Sequence, residues 1–376
     1  MEGWHYPRTE LAEQYLGLLA VGISSSLAII APRRKGKTLF ILQDLAPLSQ
    51  KKNYIPVYAS LWQNINEPHE GIISALEDAI AALDKKAVFS RLLKAKIKKT
   101  TVSNELLGKM EVEFADKPSK PTSKELAYLD QLLSMLVEKA GKKTVLLLID
   151  EVQHLTTSNQ FDPLAHTLRT MLDKRQGKVK SIFTGSSRHY LDLLLNESKS
   201  PFYHFVEQHS FPDLDEKFIE FLTDNLTKNY QITIATQPLG QAFLELDQSP
   251  YWMMKLIAQM ITFKSTVEEA LEYVLQLMEA TEDFESISKR MKPIDKLVFL
   301  ALCQGTNPFS KELMTRIDKE TDVKGVQSNI QRAIKRLSEA SLISQSRKVG
   351  YNIEKPGLRR YLEQQAFNKK RLPTQT

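Results

Sequence analysis

The stretch 31-APRRKGKTLF-40 decides the fold. Gly36-Lys37-Thr38 fits the end of the pattern G-x-x-x-x-G-K-[ST], in which backbone N–H groups and a helix N-terminus are aimed at phosphate oxygens. Lys37 is placed to reach the outer phosphates, and the Thr38 hydroxyl to help hold Mg²⁺. The first position is Ala31, where the pattern has glycine. Alanine is excluded only where φ must be positive, and Pro32 biases its predecessor towards extended backbone with negative φ. We therefore read Pro32, Arg33, Arg34, Lys35, Gly36, Lys37, Thr38 and Leu39 as a nucleotide-binding loop.

The neighbouring residues give the loop its context. Leu27-Ala28-Ile29-Ile30 is a short apolar run that suits a buried strand, and Leu39, Ile41, Leu42 and Leu45 give an apolar helix after it. A second strand is expected at Ile55 to Ala59 and a helix from Glu70 to Leu83. Lysine-rich residues 85–121 read as an insertion ending in the loop signal Pro118-Ser119-Lys120-Pro121. Thr122 or Ser123 then caps a helix closed by Gly141.

The stretch 144-TVLLLIDEVQHL-155 supplies the partner. Val145 to Ile149 reads as a central strand with Asp150-Glu151 at its C-terminal end, the end at which open α/β sheets bind ligands. Phosphate-transfer chemistry needs one carboxylate, Asp150, to hold Mg²⁺ and another, Glu151, to orient and polarise water. A third strand, Val179 to Phe183, ends in Thr184-Gly185-Ser186-Ser187-Arg188. Ser186 could bond the γ-phosphate or the attacking water, and Arg188 could stabilise transition-state charge. Arg169 and Arg175 compete for that role, acting on a neighbouring subunit.

Composition sets the outer bounds. The 376 residues are 42% hydrophobic and 26% charged, ordinary for a soluble protein of two or three domains. Cys303 is the only cysteine, and the seven histidines show no metal-ligand spacing, which excludes a disulfide scaffold and a thiolate zinc site. The N-terminus lacks a signal layout, and the apolar segment from Leu16 to Pro32 is broken by Ser24-Ser25-Ser26. The expectation is a cytoplasmic protein with no membrane partner. Charge is uneven: from Ser286 onward 19 basic residues face 8 acidic ones, net +11, while the rest of the chain carries −5 of the total +6. Such a block suggests a polyanion partner.

After Leu214, amphipathic helices carry Phe218, Ile219 and Leu222, then Trp252, Leu256, Ile257 and Met260. The basic block reads as a winged helix. Its first helix runs from Asp295 to Leu302, and its second is capped by Ser310. A third carries Val326, Ile330, Ala333 and Leu337 on one face and Ser328, Gln331, Arg332 and Lys335 on the other. A hairpin follows with Arg347 and Lys348 at its tip. The polar helix face and basic tip are the candidate duplex-DNA contacts.

Together, the loop, Asp150-Glu151 and Thr184-Gly185-Ser186-Ser187 resemble the AAA+-like P-loop ATPases of the archaeal and STAND type, relatives of origin-recognition initiators. Tyr6-Pro7-Arg8-Thr9-Glu10-Leu11 resembles the N-terminal box that lies beside the adenine in such proteins, which implies a nucleotide contact for Arg8. The resemblance implies an α/β fold with a five-stranded parallel sheet, a helical lid and a winged helix. We divide the chain into a core at 1–212, a lid at 213–284 and a winged helix with basic tail at 285–376. The expected function is Mg²⁺-dependent ATP hydrolysis controlling a DNA-binding winged helix in a nucleotide-dependent homo-oligomer. The alternative is a slow signalling switch whose winged helix binds protein. A guanine-specific switch is disfavoured, because no N-K-x-D follows the Asp150 strand.

Overall fold

The computed structural model describes residues 3–84, 118–346 and 350–371. Five parallel strands form its central sheet in the order β2-β3-β4-β1-β5: β1 Ser26–Ile30, β2 Tyr54–Ser60, β3 Thr144–Asp150, β4 Val179–Gly185 and β5 Glu207–Ser210. All five residues of β1 are buried, as are six of seven in β3, because both lie inside the sheet and are covered on both faces. Successive residues of each strand face opposite layers. Leu27, Ile29, Leu146 and Leu148 meet helices Thr9–Val21 and 37–51, whereas Ala28, Val145, Leu147 and Ile149 meet Pro68–Leu83, Ser123–Ala140 and Asp162–Lys174. The chain leaves β1 for the far edge at β2, and later crosses over β1 to reach β5. That reversal opens a crevice at the C-terminal ends of β1 and β4.

The 37–51 helix differs in detail from the sequence expectation. A π segment, Phe40–Leu45, interrupts it just after the loop, a distortion that recurs at functional sites. Its buried stripe is Phe40, Ile41 and Leu45, while Leu39 and Leu42 are exposed. Thr122 is the cap of Ser123–Ala140, in a reciprocal capping box with Glu125 worth ~1 kcal/mol. Of the insertion, residues 85–117 lie outside the described residues.

Beyond the sheet the structure is helical. Glu216–Tyr230, Thr236–Glu245, Pro250–Phe263, Val267–Thr281 and Phe284–Arg290 lead into Pro293–Cys303, Lys311–Glu320 and Gln327–Glu339. The hairpin β6 Ile343–Ser346 and β7 Gly350–Ile353 follows, then helix Gly357–Arg371. One apolar core runs through all of these, from Phe218 to Leu362. Ser310 accepts the Leu313 N–H at 3.3 Å as expected. Val326 corrects the sequence reading: it precedes the third helix and is exposed, and Ile334 joins Ile330, Ala333 and Leu337 on the buried face. Ser328, Gln331, Arg332 and Lys335 share the exposed face. Arg347 and Lys348 lie outside the described residues. Among the described residues no helix is long and apolar enough to cross a membrane.

Candidate functional site

The loop leaves β1 with Ala31 buried. Its positive φ angles fall at Arg34 (66°) and Gly36 (90°), not at Ala31, so alanine is accommodated there. Gly36 needs the left-handed conformation that turns the chain into the next helix, and the Phe40 N–H bonds its carbonyl at 3.0 Å. Lys37 is 4% exposed; its Nζ donates to the carbonyls of Ala31 at 2.6 Å and Pro32 at 2.8 Å. Burial lowers its pKa, and the charges of Glu151 and then Asp150 oppose that shift. A buried ammonium held by neutral carbonyls, with carboxylates near, suits a strongly anionic ligand.

Asp150 is the hub of the site. Its Oδ2 accepts from Thr38 Oγ1 at 2.7 Å and Tyr58 OH at 3.1 Å. Its Oδ1 accepts from the Glu151 N–H at 3.1 Å and from Thr184 Oγ1. Tyr58 and Thr184 come from the strands flanking β3, so the carboxylate is gripped from both sides. Burial, followed by the Asp150 charge, raises the Tyr58 pKa. Glu151 has φ 58°, a left-handed conformation unusual for a side-chain-bearing residue. That turn directs its Oε2 to Ser186 Oγ, at 2.7 Å, and to Gln153 Nε2. A hydroxyl beside a buried carboxylate is a donor set for a hard cation such as Mg²⁺. With Gly36 and Lys37 alongside, the residues present fit a nucleoside triphosphate and its metal: Thr38 and Asp150 would hold the ion, and Lys37 the phosphates.

A cleft of about 390 Å³ opens beside the loop, lined by Ala31, Pro32, Lys35, Arg188, Phe211 and Pro356 among others. Arg8 borders it, donating to the Pro212 carbonyl at 2.7 Å with its guanidinium over the Phe211 ring. Lys35 pairs with Asp213 at 2.7 Å and reaches the Asp247 carbonyl at 2.7 Å. Arg34 stacks on Trp252, pairs with Glu282, and lends its carbonyl to Ser249 Oγ at 3.1 Å. Arg33 lies over Trp62 instead. Lys355, after the hairpin, also pairs with Glu282, at 2.7 Å. Its ammonium is pushed down to about 8 by burial, then by Arg33 and Arg34. Arg188 faces the nearly buried Glu354 at 4.0 Å. Burial raises the Glu354 carboxyl, against a bond from Ser344 and the charge of Arg188.

The structure thus brings together Gly36 to Thr38, Asp150, Glu151 and Ser186, and sets Arg8 and Arg188 at the rim. Leu39 is exposed on the helix. Arg169 is tied to Asp173, the Pro201 carbonyl and Phe205, and Arg175 to Asp130 and Ser134. Neither is at the cleft. Sequence reading missed Tyr58, Gln153, Asp247, Glu282 and Glu354. Gln153 lies within a quoted motif; the others had no local signal.

The fold is one that this chain shares with solved Walker-type ATPase and ORC structures. Among solved structures, a Walker-type ATPase of Pyrococcus abyssi superposes with TM-score 0.63 at 17% identity, covering 95% of this chain and 98% of that one. The ORC2 protein of Aeropyrum pernix, in its ADPNP-ADP complexes, gives TM-score 0.53 at 14% identity, covering 96% and 93%. No family model matches the chain, and no curated protein matches it.

Proposed function

We propose that this chain binds ATP with Mg²⁺ and hydrolyses it, and that the nucleotide controls a C-terminal winged helix that binds duplex DNA. The observation carrying the reading is the 2.7 Å bond from Thr38 to Asp150. It makes one site of a phosphate-binding loop and a strand-end carboxylate that are 112 residues apart. The A. pernix ORC2 protein was solved with ADPNP and ADP, which supports a nucleotide in the corresponding place.

In this reading residues 1–212 form the core, 213–284 the lid and 285–376 the winged helix with its tail. The metal, held by Thr38 and Asp150, supplies charge stabilisation to the phosphates when bound. Lys37 offsets the outer phosphate charge, Glu151 orients water and takes its proton, and Ser186 fixes the water or γ-phosphate. Arg188, at the cleft and 4.0 Å from Glu354, is the arginine placed to stabilise transition-state charge. The Arg34–Glu282–Lys355 chain of charges ties the loop to the lid and to the start of the last helix. In this reading Ser328, Gln331, Arg332 and Lys335, with Arg347 and Lys348, meet the duplex.

Two measurements test this. Lys37→Ala should abolish ATP binding, while Glu151→Gln should bind ATP and lose turnover; equal loss of binding in both would overturn the division of roles. Duplex affinity should fall steeply with salt, and Arg332→Glu with Lys335→Glu should flatten that slope. An unchanged slope would leave the helix without a DNA role and favour a protein partner.

A further inference from the structure

We propose that Gln153 is a positioning residue for Glu151. Its side-chain amide clamps one carboxylate oxygen against the tip of β4 and leaves the other to take the proton of the attacking water. The inference rests on the reading of Glu151 as the catalytic base.

Gln153 is 3% exposed, in the short 3₁₀ turn Val152–Thr156 that follows β3. Its Nε2 donates to Glu151 Oε2 and to Ser186 Oγ, the latter at 3.2 Å. Ser186 Oγ donates to the same Glu151 oxygen at 2.7 Å, closing a three-membered ring of polar groups. Reversing the amide would set its oxygen against the carboxylate, so the nitrogen is the end that faces the site. The opposite end carries a cost: Gln153 Oε1 is buried with no hydrogen-bond partner. A leucine of similar size would avoid that cost, so the amide contributes through its nitrogen.

The backbone accommodates the same arrangement. A Cβ on Gly185 would lie 2.7 Å from Gln153 Oε1 and 2.6 Å from Leu191 Cδ1, so glycine there leaves room for the amide. The left-handed turn at Glu151 aims its carboxylate towards β4 rather than along β3. Oε2 thus receives two donors, whereas among the described residues Oε1 receives none. Fixing one oxygen sets the plane of the carboxylate, and with it the direction from which the other accepts a proton.

The test compares Gln153→Leu with wild type in steady-state ATP turnover and in equilibrium binding of a fluorescent ATP analogue. Misplaced catalytic groups lose rate without losing affinity, so kcat should fall roughly 10- to 100-fold, with Kd changed by no more than about twofold. Ser186→Ala removes a ring member without touching the Gln153 turn. It should show the same selective loss, and the double variant should lose less than the product of the two. A wild-type kcat in Gln153→Leu, or matched losses of kcat and affinity in both single variants, would overturn the proposal. Glu151→Gln measured alongside separates two failures. Turnover surviving that change would overturn the base assignment and this inference together. Turnover lost in Glu151→Gln but kept in Gln153→Leu would overturn the inference alone.

Discussion

Replacing Asp150 probes the site through stability, without reference to activity. The carboxylate is 3% exposed and accepts four hydrogen bonds, from Thr38, Tyr58, Thr184 and the Glu151 N–H. Those four donors fill the acceptor positions of an ionised carboxylate. In Asp150→Asn, with NH₂ in place of Oδ2, the Thr38 and Tyr58 hydroxyls can rotate to accept its two hydrogens, while Thr184 and the Glu151 N–H keep the amide oxygen; the expected loss is about 1–2 kcal/mol. In Asp150→Ala all four donors lose their partner. Relief from burying a charge offsets part of this, leaving an expected loss of about 3–5 kcal/mol. At roughly 2–4 °C per kcal/mol, the alanine variant should melt some 6–20 °C lower and the asparagine variant only a few degrees lower. Tyr58→Phe, which removes a single donor, should cost about 1 kcal/mol. Differential scanning calorimetry without nucleotide reads all three. An alanine variant within about 1 kcal/mol of wild type would mean that Asp150 is not gripped from both flanking strands, and the site geometry would fall with it.

Three further outcomes follow from other parts of the molecule. Burial pushes the Asp247 carboxyl up to about 6 from its ordinary 3.8, so between those values the folded chain holds a proton that the unfolded chain has released, and stability falls as pH rises. Asp247→Asn should therefore be more stable than wild type at neutral pH, by about 1–3 kcal/mol, with the advantage gone near pH 4; urea midpoints showing the reverse trend would refute the burial argument. Arg34→Ala severs the stack on Trp252 and the pair with Glu282, so amide exchange in 247–252 should quicken, and unchanged protection there would separate the loop from helix Pro250–Phe263. A Cβ on Gly325 would lie 2.0 Å from the Met314 carbonyl oxygen. Gly325→Ala should thus cost more than about 3 kcal/mol by displacing helix Gln327–Glu339, and a wild-type melt by circular dichroism would show that the backbones are not in contact.

Much of this protein is written locally. The loop after β1 is readable because a short buried strand, a glycine turn and a helix start are contiguous, and Asp150-Glu151 because they end an unbroken apolar run. The helices announce themselves through periodic burial, as in Ile330, Ala333 and Leu337. β5, Glu207–Ser210, did not, since the sequence Glu-Gln-His-Ser has no apolar run. An edge strand pairs on one side only and can stay wet, so its pairing with β1 leaves no hydrophobic trace. The π segment at Phe40–Leu45 was equally silent, because one displaced hydrogen bond scarcely alters the spacing of apolar residues.

The chain by itself determined the chemical inventory of the site: a lysine and a threonine on a turn, two carboxylates on a strand end, a hydroxyl on a second strand end. Only the tertiary structure decided how those groups divide their partners. It brought Tyr58 to Asp150, closed the ring of Glu151, Gln153 and Ser186, and carried Glu282, Glu354 and Lys355 to the arginines around the loop. Periodicity and turn chemistry are properties of neighbours in sequence. A shared low-dielectric cavity is a property of neighbours in space, and a charge acquires its energetic meaning there only from what folding sets beside it.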